Sequence, residues 1–170
     1  MQNFKEKLNK ITTLMFDVDG VFTDGKVLVM ENGEVVRNVF SKDGYAIHLA
    51  VQKKYKLVII SGGNNVAIKN LLTRSGIEHI FINQHDKLQC YKDFIYEHNI
   101  NDEQVMYMGD DLPDYEIMSR VGVAACPNDS ATEIKSICSY ISPKNGGEGC
   151  VRDIIEQVMR VQGQWEIANW

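Results

Sequence analysis

Short apolar runs that end in acids or glycine alternate with amphipathic stretches along almost the entire chain. Residues 11–17 (ITTLMFD) open the series, apolar without polar alternation and closed by Asp17. Such a run reads as a strand buried on both faces. Residues 55–60 repeat the pattern before Ser61-Gly62-Gly63, as do 80–82, 104–108 before Gly109-Asp110-Asp111, 122–125 before Pro127, and 140–141. Between them lie helical spacings at 43–53, 64–74, 87–98, 115–121, 130–136 and 148–162. Asn64 or Asn65 can cap the second of these, and Gly76 ends it. Two β-branched runs, 26–30 and 34–40, flank Asn32-Gly33, a strong hairpin signal. Strands alternating with helices predict an α/β fold: a Rossmann-like, doubly wound, mostly parallel sheet with helices on both faces, plus a small β-hairpin after the first strand. No linker or repeat divides the 170 residues, so one domain spanning 1–170 is expected.

In such a sheet the crevice lies at the carboxyl ends of the strands. Asp17-Val18-Asp19-Gly20 stands at the first of those ends, Ser61-Gly62 at the second, and Gly109-Asp110-Asp111, with Asp114 three residues on, at a later one. Lys87 opens the helix between. Carboxylates crowded at one edge repel, and a hard divalent cation such as Mg²⁺ removes that cost. Asp17 and Asp110 are the natural carboxylate ligands. Asp19 could offer its backbone carbonyl and turn its side chain toward substrate. A carboxylate is also a nucleophile in phosphoryl transfer. Asp17 would attack phosphorus, and Asp19 would protonate the leaving group and later deprotonate water. Ser61, Gly62 and Lys87 would hold the phosphoryl oxygens.

Asp17-Val18-Asp19-Gly20-Val21-Phe22-Thr23-Asp24-Gly25, Ser61-Gly62, Lys87 and Gly109-Asp110-Asp111-Leu112-Pro113-Asp114 resemble the four motifs of the haloacid dehalogenase superfamily of phosphohydrolases. Lys42-Asp43-Gly44 and Gly146-Gly147-Glu148-Gly149 extend the likeness to its small capless branch, whose members act on 3-deoxy-D-manno-octulosonate 8-phosphate or on nine-carbon 2-keto-3-deoxy sugar acid phosphates. The resemblance covers roughly residues 10–161. It implies a Mg²⁺-dependent phosphatase of a phosphorylated sugar acid, working through an aspartyl-phosphate in bacterial surface-sugar synthesis. It further implies that Asp111 and Asp114 support the metal site, that Lys42, Asp43, Gly63 and Asn64 surround the substrate, and that no cap domain is present. A homotetramer is implied as well, with the hairpin as packing element and a neighbouring subunit over each active site. One position departs from the branch: Gly63-Asn64-Asn65 stands where an arginine usually follows Ser-Gly. Lys42, Lys69 or a partner subunit's basic residue are then the candidates for the substrate carboxylate.

Other classes are disfavoured. A net charge of -5 argues against a general nucleic-acid binder. No apolar run approaches a membrane span, and nothing after the basic N-terminus resembles a signal peptide. The four cysteines, at 90, 126, 138 and 150, form no CxxC pair, so a reducing cytoplasm is the default. A receiver-type signalling domain shares the fold class and the acid, hydroxyl and lysine set, but would place its lysine after the acceptor acid and near the end. His48, His79, His85 and His98 form no spaced cluster and read as surface or packed residues, and Met15, Met106 and Met108 as core. Trp165 and Trp170 lie in a terminal segment for which disorder and packing on a neighbour are both open.

Overall fold

The computed structural model describes residues 4–166. Six parallel strands form its central sheet, in the order β5-β4-β1-β6-β7-β8. They are β1 (Thr13–Phe16), β4 (Lys56–Ile60), β5 (His79–Phe81), β6 (Val105–Met108), β7 (Val123–Cys126) and β8 (Tyr140–Ile141). Beginning at β1, the chain builds outward through β4 and β5, then returns to β6 on the other side of β1 and continues to β8. The winding therefore reverses between β1 and β6. Their register sets Phe16 beside Met108, and the Asp17 N–H donates to the Met108 carbonyl at 3.0 Å.

Every residue of β1, β6 and β7 is buried, as a sheet covered on both faces requires. Side chains alternate between two cores. Leu14, Phe16, Leu57, Ile59, Met106 and Met108 face one side. That side is covered by α2 (Asp43–Gln52), α3 (Val66–Arg74) and α7 (Cys150–Val161), through residues such as Ile47, Leu72 and Ile154. Met15, Val58, Ile60 and Tyr107 face the other, under α4 (Lys87–Glu97), α5 (Tyr115–Met118) and α6 (Thr132–Ile137). The Asn65 side chain caps α3 by accepting the Ile68 N–H at 2.9 Å. Among the described residues, no helix is long and apolar enough to cross a membrane.

Three elements depart from expectation. A five-residue helix α1 (Phe4–Leu8) precedes β1; it buries Leu8 and stacks Phe4 on Tyr140, with centroids 5.4 Å apart. Five residues are too few to show helical periodicity. The hairpin pairs only β2 (Leu28–Val29) with β3 (Val35–Val36) around Asn32-Gly33, and both strands are exposed. Trp165 packs edge-on against Tyr45 of the same chain, while Trp170 lies outside the described residues.

Asp43 enters α2 with its carboxyl buried. One oxygen accepts the Arg152 N–H at 2.9 Å; the other has no hydrogen-bond partner. Burial pushes this carboxyl up to about 6, against the pull of the Arg152 N–H and guanidinium. A raised native value means that the stability from this group is complete below pH 3.8 and is lost as pH rises through about 6. Asp43→Asn removes the titration. Relative to the parent, the variant should gain up to about 3 kcal/mol across that window. Urea melts at a series of pH values measure it, and a parent–variant difference constant with pH would refute a raised Asp43.

Candidate active site

The carboxyl ends of β1, β4 and β6 and the start of α4 converge on a crevice of about 440 Å³. Asp17, Asp19, Ser61, Gly62, Gly63, Lys87, Asp110, Asp111 and Asp114 line it, joined by Gln84 and His85. It lies where the winding reverses, the position at which open parallel sheets bind their ligands. The sequence-predicted catalytic, phosphate-binding and metal residues thus meet in one place.

Lys87 is the knot of the cluster. Its ammonium contacts an Asp17 oxygen at 3.0 Å and an Asp114 oxygen at 2.8 Å. The same Asp114 oxygen accepts the Tyr107 hydroxyl at 2.7 Å. Asp114 is fully buried, and its second oxygen has no partner. Burial works against the Lys87 charge, but Asp17 and Asp114 outweigh it and hold the ammonium above its ordinary value. α4 begins here because Asp86 caps it, its carboxylate accepting the Gln89 N–H at 2.8 Å.

One lysine cannot neutralise this many acids. Asp17 is pushed up to about 7 by burial and then by repulsion from Asp114, with Lys87 opposing. Asp110 is likewise pushed up to about 7, by burial and by Asp114 and Asp111. Asp17, Asp110 and Asp114 each offer an oxygen within 4.8 Å of the others. Three convergent carboxylates, two of them destabilised as anions and one with an orphaned buried oxygen, fit a hard divalent cation. Gly20 makes room for them: it has φ +79, and a Cβ there would overlap the Asp110 carboxylate.

The Ser61 hydroxyl accepts the Gly63 N–H at 3.1 Å, leaving its own hydrogen for a further acceptor. Gln84 N–H to Ser61 carbonyl, 2.9 Å, and Asn83 N–H to Gly63 carbonyl, 2.8 Å, fix this turn. The Asp19 side chain is not part of the acid trio and pairs with Arg37, Nε to Oδ1 at 2.6 Å.

Other expected positions fall elsewhere. Asp111 is exposed at the rim. Asp114, expected as outer support, stands inside the acid trio. Lys42 is exposed with its ammonium 5.8 Å from the Phe40 ring centroid, and Asp43 is buried beside α7, so neither lines this crevice. Asn64 is exposed and is also absent from the lining. Four contributors escaped the sequence reading, Gln84 among them. Tyr107 looks like any strand aromatic, and His85 is an isolated histidine whose one signal is its place two residues before Lys87. Arg37 is the single basic residue in an otherwise apolar and polar hairpin arm.

Comparison with known proteins gives the family. The profile of the haloacid dehalogenase-like hydrolases matches residues 72–154. The 3-deoxy-D-manno-octulosonate 8-phosphate phosphatase KdsC of Escherichia coli K12 is 31% identical over 163 residues, covering 96% of this chain and 87% of that protein. The crystal structure of the Yersinia pestis phosphatase superposes with a TM-score of 0.91 at 29% identity, covering 94% of this chain and 86% of that one. The Moraxella catarrhalis phosphatase, solved with a magnesium ion, a phosphate ion and a KDO molecule, superposes with 0.90 at 27% identity, covering 94% and 91%.

A cation that binds the charged acids competes with protons. Without metal, the stability from Asp17 and Asp110 is complete below pH 3.8 and is lost as pH rises through about 7. The rise in melting temperature on adding Mg²⁺ should therefore grow between pH 5 and 8. Melts with and without Mg²⁺ across that range test it; a metal shift independent of pH would contradict the raised values.

Proposed function

The chain belongs to the haloacid dehalogenase-like hydrolases, and on that premise we propose that it hydrolyses a phosphorylated 2-keto-3-deoxy sugar acid, foremost 3-deoxy-D-manno-octulosonate 8-phosphate, through an aspartyl-phosphate on Asp17. Its class is phosphoric monoester hydrolase and its cofactor Mg²⁺. The observation that carries the reading is the meeting of Asp17, Asp110, Asp114, Lys87 and Ser61 in one crevice at the winding reversal. The substrate is supported by the relatives' activity and by their coverage of nearly the whole chain.

In this reading Asp17 and Asp110, with Asp114 beside them, hold Mg²⁺. Bound there, the ion supplies the positive charge that lets a carboxylate approach a phosphate. Asp17 attacks phosphorus as the ester oxygen leaves. Asp19, on the half-open rim, gives that oxygen its proton and later takes one from the water that hydrolyses the acyl phosphate. The Ser61 hydroxyl and the Lys87 ammonium bind the phosphoryl oxygens, already aimed by the Gly63 N–H and by Asp114. Tyr107 positions Asp114 from beneath. Asp17→Asn should lower kcat by at least about a thousandfold with the fold retained. Full turnover in that variant would remove the nucleophile assignment. Specificity constants for eight-carbon, nine-carbon and ordinary aldose phosphates test the substrate; a preference for the aldose would defeat the sugar-acid reading.

The reading carries with it one domain and the cytoplasmic location expected from the cysteines. It also includes a homotetramer packed through the hairpin. Val27, Leu28 and Val29 are 50%, 63% and 66% exposed, an apolar face that an isolated two-stranded ribbon does not bury alone. Leu28→Asp with Val29→Asp should shift sedimentation from tetramer to smaller species. An unchanged sedimentation coefficient would exclude the hairpin as the contact.

A further inference from the structure

Asp19, which lines the crevice, is paired with a cation that the phosphoryl chemistry does not use. Arg37 follows β3 directly, and its side chain is only 17% exposed. Its guanidinium reaches Asp19 side-on, Nε to Oδ1 at 2.6 Å and Nη2 to Oδ2 at 3.5 Å. Both polar contacts found for it among the described residues go to Asp19, so at least half of its N–H donors remain for another anion. On the other side of Asp19 stands Gly63, where a Cβ would lie 3.0 Å from Oδ2. Asp19 is thus held between the arginine and a bare glycine turn, at the edge of the crevice where the leaving group must emerge.

Lys26, next to Gly25, is exposed, and the other basic candidates are committed or lie elsewhere. Lys87 is bound to Asp17 and Asp114. Lys42 lies against Phe40 and Lys69 sits on α3, and among the described residues neither forms an ion pair with an acid of the crevice, as Arg37 does with Asp19. His85 lines the crevice, but an imidazole offers a carboxylate no forked pair of donors. A guanidinium does, and it keeps its charge at every working pH.

The geometry points to Arg37 as the residue that reads the carboxylate of the leaving sugar acid while it holds Asp19, joining substrate recognition to placement of the proton donor. This rests on the sugar-acid reading above and adds the group that enforces it. Phosphate and carboxylate stand at opposite ends of the sugar acid, so the group that reads the carboxylate must lie beyond the proton donor, and Arg37 is the cation paired with that donor. The hairpin delivers it: residues 26–40 leave the crevice wall just after Gly25, and Arg37 lies on the returning arm.

The experiment compares two substrates with similar alkoxide leaving groups, the eight-carbon sugar acid 8-phosphate and an aldose phosphate that lacks the carboxylate. Specificity constants are measured for the parent, Arg37→Ala, Arg37→Gln and Arg37→Lys in saturating Mg²⁺, with melting curves for each. The expected result is a fall of about tenfold or more in the sugar-acid to aldose-phosphate ratio for Ala and Gln, chiefly through KM, with Lys recovering part of it. Equal loss on both substrates would overturn the inference by making Arg37 a support for Asp19 alone. A parent that discriminates and variants that discriminate equally well would overturn it too, leaving the substrate reading intact. A parent indifferent to the carboxylate overturns the substrate reading itself and this inference with it.

Discussion

Three acids gathered around one buried ammonium are the constraint on which the molecule turns. Asp17, Asp110 and Asp114 bring oxygens within 4.8 Å of one another, and Lys87 touches two of these residues. Burial alone would drive such groups to neutrality. The neighbouring architecture sustains the arrangement: β1 and β6 are locked in register at Phe16 and Met108, one residue before Asp17 and two before Asp110, Tyr107 gives Asp114 a neutral donor, and Gly20 leaves space for Asp110. The remaining charge imbalance is what a divalent ion resolves, so the fold and its cofactor answer the same electrostatic problem.

The parts of the site that lie at strand ends were legible in the sequence. A run such as ITTLMFD has no polar face, so it had to be an interior strand, and its terminal acid had to stand at the sheet edge. The same reasoning brought Ser61 and Asp110 to that edge. Lys87 followed from opening a helix between them. The comparisons bear out the fold class and the phosphatase assignment.

What the sequence hid depends on side-chain direction and on contacts across the chain. Asp114 was expected to stand behind the metal site, yet a 3₁₀ turn at Leu112–Asp114 carries it inward to complete exclusion from solvent. Asp43 was expected at the substrate, yet α2 begins there and its carboxyl accepts an N–H from α7, more than a hundred residues later. Arg37 meets Asp19 only because the hairpin folds back over the crevice edge, which no local pattern encodes. Helix α1 was missed because its order comes from Phe4 stacking on Tyr140 rather than from any period of its own.

The hairpin has an evolutionary consequence. Fewer than a dozen residues separate the solvent-facing Val27, Leu28 and Val29 from the guanidinium on Asp19. A mutation that reshapes the outward apolar strip also tilts the arm carrying that guanidinium. On the proposed roles of the hairpin and of Arg37, divergence in quaternary contacts and divergence in chemical taste are drawn from one small stretch of genetic code, and drift in either leaves a trace in the other.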